Sequence, residues 1–276
     1  MQSSLFGGNA DVPGDPGTLA PAPPSAPVRH IPLLERFEDL VLGEAEKRAA
    51  LEAVRGQALT CRRCPLSRSR RNVVFGDGNP LSPLVLVGEG PGETEDERGL
   101  PFVGPAGRLL ERALHANSIR REQVYICNTV KCRAADFESG RWNNRPPTPE
   151  ESDHCQTWLE QQLGIIRPLV IVCIGSPAAN AVIKKGFKIT QERGRWFDTS
   201  PYAPWVIAAL HPAYVLRMQG AQQEAAMNLL IQDIGAARKR VIELRKAARA
   251  AVAPNEPNEP NEPDSTDPNG PTREQD

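Results

Sequence analysis

Four short apolar runs constrain the fold of this chain more than any other feature of its sequence. Each run is continuous rather than alternating, which is typical of strands covered on both faces of a sheet. The runs are Leu84–Val87, Val124–Cys127, Leu169–Ile174 and Trp205–Leu210. Helical patterns separate them, so the sequence predicts an α/β fold: a three-layer α/β/α sandwich with a central, four-stranded and mainly parallel sheet.

Five segments around these runs have the apolar spacing or the end signals of helices. The clearest begins at Thr148, an N-cap followed by Pro149 and two acidic residues, and continues to about Leu163. The other four predicted helices are Glu44–Arg55, Gly107–Ala116, Ser176–Lys185 and Gln222–Ala248.

The 27 prolines are unevenly distributed, and both ends of the chain are rich in them. Residues 1–34 are also rich in Gly, Ser and Ala, and residues 249–276 contain the repeat PNEPNEPNEP. Such segments bury too little apolar surface to offset the entropy that ordering would cost. We therefore expect a disordered N-terminal tail over 1–34, one folded domain over 35–248 and a disordered acidic tail over 249–276.

The formal net charge of −1 conceals an acidic end and a basic middle. Residues 251–276 contain seven acidic residues and one arginine, whereas residues 31–250 carry a net charge of +6. A basic domain suits a polyanionic ligand, although an ordinary solvated surface fits the same charge. The chain has no cationic and then apolar leader, and no apolar run approaches about 18 residues. We expect a cytoplasmic monomer with no membrane segment and with reduced thiols.

Polar residues directly follow the predicted strands. Glu89 comes after the first strand, Asn128 after the second and His211 after the fourth, while the turn Gly175-Ser176 follows the third. In parallel α/β sheets, the ligand site lies at the carboxyl ends of the strands. The sequence therefore predicts a catalytic site built from a carboxylate, an amide, a backbone turn and an imidazole.

The six cysteines divide into two groups. Cys127 and Cys173 lie inside predicted strands and are interpreted as small core residues. The four outside the strands are suitable ligands for zinc or for an iron–sulfur cluster: Cys61, Cys64, Cys132 and Cys155. A zinc ribbon normally has two C-x-x-C pairs. Here only Cys61 and Cys64 form such a pair, and the separate positions of Cys132 and Cys155 favour an iron–sulfur cluster. Unpaired thiols at 132 and 155 are the alternative.

Four separated motifs and these cysteines together resemble the family 4 uracil-DNA glycosylases, the iron–sulfur branch of that superfamily. The motifs are Gly88-Glu89-Gly90-Pro91-Gly92, Gly99-Leu100-Pro101-Phe102-Val103-Gly104, Asn128-Thr129-Val130-Lys131-Cys132 and His211-Pro212-Ala213-Tyr214-Val215-Leu216-Arg217. The resemblance covers roughly residues 50–245. It implies a [4Fe-4S] cluster on the four cysteines named above. It also implies a monofunctional base excision repair enzyme that removes uracil from DNA and leaves an abasic site.

The resemblance gives three residues roles that their chemistry supports. His211 is expected to hydrogen-bond the negative charge that develops on a base oxygen when the glycosidic bond breaks. The Asn128 amide offers a donor and an acceptor that match O4 and N3–H of uracil and mismatch cytosine. Phe102 is expected to stack on the flipped base.

Five more residues complete the predicted site. Glu89 is expected to orient water, stabilise the sugar cation or exclude the thymine methyl group, and Glu95 is the next candidate for a catalytic or positioning role. Gly90 and Gly92 allow the backbone to close around the base, and Arg217 is placed to contact a phosphate. The family motif usually has Ala where this chain has Gly90, so we expect a wider pocket there.

Residues Gln2–Phe6, of sequence QSSLF, resemble the short peptide with which bacterial repair proteins bind the replicative sliding clamp. We therefore expect the sliding clamp as a partner in addition to uracil-containing DNA. Three other interpretations remain open: a non-catalytic iron–sulfur protein that binds DNA and senses damage, a superfamily member with altered base specificity, and a nucleotide-binding α/β enzyme with structural zinc.

Overall fold

The computed structural model of the chain describes residues 43–252. Six of its strands form one sheet: β1 (Asp77–Gly78), β2 (Leu84–Gly88), β3 (Tyr125–Asn128), β6 (Val170–Ile174), β7 (Trp196–Phe197) and β8 (Trp205–Ala209). Two others form a separate hairpin: β4 (Ala135–Glu138) and β5 (Arg141–Asn144). The predicted clamp peptide and most of the two predicted tails lie outside the described residues.

The four predicted strands form the parallel centre of the sheet, in the order β3-β2-β6-β8. This confirms the predicted central sheet. Two strands of two residues each, β1 and β7, extend it at its edges in antiparallel orientation, which the sequence did not indicate. A two-residue strand is too short to produce a hydrophobic pattern, so only the tertiary structure reveals it.

Eight helices are described: α1 (Glu44–Leu59), α2 (Glu93–Arg98), α3 (Pro105–Ala116), α4 (Pro149–Ile166), α5 (Ser176–Val182), α6 (Ile189–Glu192), α7 (Pro212–Arg217) and α8 (Gly220–Val252). All five predicted helices are confirmed, with ends shifted by a few residues. Thr148 caps α4 as predicted, since its Oγ1 accepts a bond from the Glu151 amide while the Glu151 carboxylate accepts one from the Thr148 amide. Across residues 43–252, none of the helices is long and apolar enough to cross a bilayer.

Two hydrophobic cores lie on opposite faces of the sheet and define the three predicted layers. Val85 and Val87 of β2 point into the core that α1, α4 and α5 cover. Leu84 and Leu86 of the same strand point into the core that α3, α7 and α8 cover. This alternation explains why the strand is apolar at every position.

The hairpin β4–β5 lies in the segment that follows Cys132, where we predicted no strands. Its turn residues Ser139 and Gly140 both have positive φ, at 53° and 80°, the geometry that two-residue hairpins favour. Phe137 and Trp142 pair across the strands and remain exposed. The Ser-Gly dipeptide between polar residues was the local signal for this turn.

Candidate active site and cysteine centre

A cavity of about 680 Å³ opens where the parallel strands end. All eight residues predicted for catalysis and substrate binding line it: Glu89, Gly90, Gly92, Glu95, Phe102, Asn128, His211 and Arg217. They come from the ends of β2, β3 and β8 and from the segments that follow these strands, because the carboxyl ends of parallel strands meet at one edge of the sheet. The tertiary structure thus brings together residues that are up to 128 positions apart in the chain.

Asn128 contributes an unpartnered polar atom to this cavity. The residue is 1% exposed, and its Oδ1 is the one buried side-chain nitrogen or oxygen without a hydrogen-bond partner in residues 43–252. A buried polar atom normally has a partner, because an unpaired one costs about 1–3 kcal/mol. The Asn128 Oδ1 therefore marks a position where a ligand donor would complete the site.

Gly88 makes room for the Asn128 amide. A Cβ atom at this glycine would lie 2.4 Å from Asn128 Oδ1 and 2.6 Å from the Phe102 ring. Neither contact is possible for a real side chain, so the last residue of β2 allows the amide and the aromatic ring to approach each other. A larger residue at 88 would displace both groups from the cavity.

His211 is a neutral hydrogen-bond donor in this geometry. Its Nδ1 accepts a bond of 3.0 Å from the Ala213 amide and so caps α7. Burial, together with the nearby positive charge of Arg217, lowers the pKa of His211 to about 4. Since Nδ1 is an acceptor and the ring is neutral at pH 7, the remaining proton sits on Nε2.

Phe102 occupies a strained backbone conformation beside His211. Its φ is 51°, which costs about 1–3 kcal/mol for a bulky residue. Arg121 donates bonds to the carbonyls of Pro101 and Phe102 and so holds this turn from one side. The Phe102 and His211 ring centroids are 5.8 Å apart, so the fixed turn places an aromatic face next to the imidazole.

The two candidate carboxylates have different surroundings. Glu95 is buried, and its Oε1 accepts bonds from the amides of Val103 (2.9 Å) and Gly104 (2.6 Å). Within residues 43–252, the Glu89 carboxylate has no hydrogen-bond or ion-pair partner, and burial raises its pKa above the usual 4.5. Glu95 therefore holds the Phe102 turn, whereas Glu89 is free to act on a ligand.

The expectation of a wider pocket at Gly90 needs correction. A Cβ atom there would lie 2.6 Å from Cγ2 of Val130, a fully buried residue that also lines the cavity. The Val130 methyl group therefore already fills the space that an alanine side chain would use. The sequence did not indicate this contact, since 40 residues separate the two positions.

Replacement of Gly90 by alanine therefore tests how tightly this part of the cavity is packed. We expect Gly90→Ala alone to lower the rate of base excision about tenfold, because Val130 must move into the cavity. The double variant Gly90→Ala with Val130→Ala should restore most of the rate, because removal of the Val130 methyl groups makes room for the new Cβ atom at position 90. Single-turnover kinetics of the four combinations measure this coupling, and purely additive losses would contradict it.

Arg217 and Gly92 lie at the rim of the cavity. Arg217 is exposed in the last turn of α7, and Gly92 is the N-cap of α2, where a Cβ would lie 2.7 Å from Glu95 Oε2. Asn144 and Arg145, at the end of the hairpin, also line the cavity, and Asn144 is one of the lining residues that the sequence did not indicate. Arg145 is held there by two ion pairs, one with Glu151 of α4 and one with Asp136 of β4.

The four predicted ligand cysteines line one small cavity on the face of the sheet that α1 and α4 cover. Cys132 and Cys155 are buried, and Cys61 and Cys64 are half-buried. Cys127 and Cys173 are fully buried in β3 and β6, as core residues should be. In the described part of the chain, no three His, Cys, Asp or Glu side chains form a group that could hold a metal ion.

Donors surround the thiols of this cavity. Arg70 donates to Cys132 Sγ at 3.2 Å, and the Lys131 amide donates to Cys155 Sγ at 3.4 Å. Burial raises the pKa of the Cys132 thiol to about 12, so it stays protonated unless a metal binds. N–H···S bonds of this kind are found around iron–sulfur clusters, so this donor set fits such a group.

The comparisons with known proteins agree with this geometry. Residues 75–235 match the model of the uracil DNA glycosylase superfamily. A type-4 uracil-DNA glycosylase of Thermotoga maritima is 43% identical over 190 residues, which cover 67% of this chain and 91% of that protein. The corresponding protein of Archaeoglobus fulgidus is 39% identical, covering 63% of this chain and 87% of its own length.

A type-5 uracil-DNA glycosylase of Thermus thermophilus is a more distant relative, with 30% identity over 40% of this chain and 53% of its own length. The type-4 similarity is longer and stronger than the type-5 similarity. This chain therefore belongs to the type-4 uracil-DNA glycosylases of the uracil DNA glycosylase superfamily.

Proposed function

We propose that this chain is a DNA repair glycosylase that cleaves the bond between uracil and deoxyribose. One observation carries the proposal: the buried Asn128 Oδ1 has no protein partner and lies in the same cavity as the neutral His211. Uracil supplies what the two residues lack, because its N3–H is a donor and its carbonyl oxygens are acceptors.

The shape of the site suits a flipped nucleotide. A base inside a duplex is out of reach, so it must rotate into the cavity, which costs a few kcal/mol. Phe102, fixed by Arg121 and Glu95, provides a flat apolar surface on which the base stacks. The Asn128 amide then distinguishes uracil from cytosine, whose N3 is an acceptor and would leave Oδ1 unpaired.

The chemical step separates an anion from a cation. The electron pair of the C1′–N1 bond stays on uracil, and the deoxyribose becomes an oxocarbenium ion. His211 Nε2–H donates a hydrogen bond to the base oxygen on which negative charge grows. The neutral imidazole keeps its proton throughout this step. Glu89 holds the water that attacks C1′ and accepts its proton, a role that its raised pKa and lack of a protein partner support.

The four cysteines are proposed to hold a [4Fe-4S] cluster, with one thiolate each from Cys61, Cys64, Cys132 and Cys155. Two observations support this proposal: the four thiols line one cavity, and two of them accept N–H donors, as the sulfurs of cluster ligands do. The cluster would supply cross-links between the segment after α1, the segment after β3 and α4. It has no part in the reaction steps above.

The exposed hairpin is proposed to extend the DNA surface beside the cavity. Phe137 and Trp142 are 60% and 46% exposed, with ring centroids 5.4 Å apart. The strand that contains Trp142 ends at Asn144, which lines the cavity. DNA with one flipped nucleotide in the cavity would therefore have its neighbouring bases near these rings, and base–aromatic stacking contributes about 1–3 kcal/mol per base.

Removal of these two rings tests the hairpin. We expect Phe137→Ser with Trp142→Ser to weaken binding of single-stranded uracil DNA about tenfold and to leave the rate at saturating DNA unchanged. Fluorescence anisotropy with a labelled oligonucleotide measures the affinity. The control is Ile242→Ser, which removes another half-exposed apolar side chain, on α8. Equal affinities for the double variant and the control would contradict the contact.

The proposed function is tested by incubating the purified protein with an oligonucleotide that contains one uracil and then cleaving with alkali. Strand breakage at the uracil is the expected result, and the absorption spectrum of the same sample reports on the cluster. Intact DNA together with an iron–sulfur spectrum would favour the DNA-binding sensor instead. A colourless, zinc-containing protein would contradict the cluster. Breakage of matched oligonucleotides that carry cytosine or hypoxanthine in place of uracil would indicate altered base specificity.

A further inference from the structure

Lys131 lies between the uracil cavity and the cysteine centre. Lys131 is 1% exposed, and its side chain is the largest of the fully buried side chains in the described residues. Lysine is almost never fully buried unless its ammonium group has partners, because the charge loses its hydration. The partners of Lys131 therefore explain why a lysine is tolerated at this position.

The Lys131 ammonium group binds two oxygens. It donates to the backbone carbonyl of Asn128 at 2.6 Å and to Oε1 of Gln162. Its nitrogen also lies 5.9 Å from the centroid of the Phe75 ring. Lys131 thus binds the main chain of Asn128, and the side chain of Asn128 carries the unpartnered oxygen in the uracil cavity.

Gln162 is held in place in turn. Its Nε2 donates to the carbonyl of Phe75 at 2.9 Å and to the hydroxyl of Tyr125 at 3.0 Å. Gln162 and Cys155 are seven residues apart on α4, so they lie on the same face two turns apart. Helix α4 therefore presents an amide to the ammonium group of Lys131 and a thiol to its backbone N–H.

These contacts fix the orientation of Asn128. The Asn128 side chain makes no hydrogen bond through Oδ1, so the direction of this atom depends on the backbone that carries it. The ammonium group binds that backbone at its carbonyl, while the next residue, Thr129, binds the Glu89 carbonyl through its hydroxyl at 2.6 Å. The peptide at Asn128 is thereby held from the side of the cysteine centre and from the side of β2.

We propose that Lys131 is a positioning residue for uracil recognition, whose ammonium group holds the Asn128 peptide so that Oδ1 meets the N3–H of the base. This inference rests on the proposed function. The role differs from catalysis, since the ammonium group contacts the protein alone. It also connects the cysteine centre to base recognition, because Lys131 precedes Cys132 and its own amide is bound to Cys155.

The test compares equilibrium binding of two DNA ligands, so it does not depend on turnover. One oligonucleotide contains 2′-fluoro-2′-deoxyuridine, whose fluorine blocks cleavage, and the other contains a stable abasic site. The ratio of the two dissociation constants measures recognition of the base alone. We expect Lys131→Met to reduce the preference for the uracil ligand about tenfold or more, with abasic DNA bound within twofold of wild type.

The matched control is Lys185→Met, which removes an exposed lysine and should leave both constants unchanged. An unchanged preference in Lys131→Met would overturn the inference, and so would an equal loss on both ligands with the cluster spectrum intact. If Lys131→Met does not fold, Gln162→Leu decides: it should lower the preference severalfold, and an unchanged preference overturns the inference. A wild-type protein without any preference for uracil would instead contradict the proposed function.

Discussion

Asn128→Ala is expected to lower the single-turnover rate of uracil excision by about 10²–10³. The substitution removes both groups that pair with the uracil edge, and loss of one well-placed hydrogen-bonding group in an active site costs this much. The main-chain carbonyl that Lys131 binds is retained, so the fold should be preserved. A gel assay on a single-uracil oligonucleotide, at enzyme excess, measures the rate.

The matched variant is Asn128→Asp, which keeps the size of the side chain and replaces its donor with an acceptor. We expect it to lose uracil activity as well, because the second carboxylate oxygen faces the uracil O4 acceptor. Its ratio of uracil to cytosine excision should fall, since cytosine offers an amino donor at that position. If both variants keep the full rate and selectivity, Asn128 does not read the base.

His211→Ala is expected to have an effect of similar size, about 10²–10³ on the rate at saturating DNA. The donor to the developing negative charge is lost, whereas binding of uncleaved DNA should change little, because the charge is absent in the ground state. Single-turnover rates measured at increasing enzyme concentration give the maximal rate of cleavage and the affinity for DNA separately. A variant that binds DNA poorly but cleaves at the full rate would contradict this role.

The pKa of His211 gives a further expectation for the pH profile. Because that pKa lies at about 4, the imidazole stays neutral as the pH falls from 7 to about 5. Any loss of rate in this range should come from protonation of Glu89, whose pKa is raised by burial, and should disappear in Glu89→Gln. A rate that falls with the ordinary histidine pKa near 6.5 would contradict the neutral donor.

The same shift affects stability in a defined direction. Between pH 6.5 and about 4 the unfolded imidazole binds a proton that the folded one does not. The contribution of His211 to the free energy of unfolding therefore decreases as the pH falls through this range.

The parallel sheet was predictable because the four apolar runs record burial on both faces. The five predicted helices were recognisable because helix caps and apolar spacing are local signals. The residues around the cavity were predictable from motifs at the strand ends. The roles of the two carboxylates were not. The Glu95 carboxylate accepts hydrogen bonds from the Val103 and Gly104 amides, whereas in residues 43–252 the Glu89 carboxylate has no such partner. The Phe102 turn places those two amides, and no local sequence pattern encodes this.

The sequence by itself determined the α/β/α architecture, the family, the edge of the sheet at which the site lies and the four thiols that share a cavity. Each of these depends on neighbours a few residues apart or on motif identity. Only the tertiary structure decided that Val130 fills the space beside Gly90, that the Asn128 oxygen lacks a partner, and that Lys131 is buried. These facts depend on side chains brought together by packing from distant segments, and no local pattern encodes such contacts.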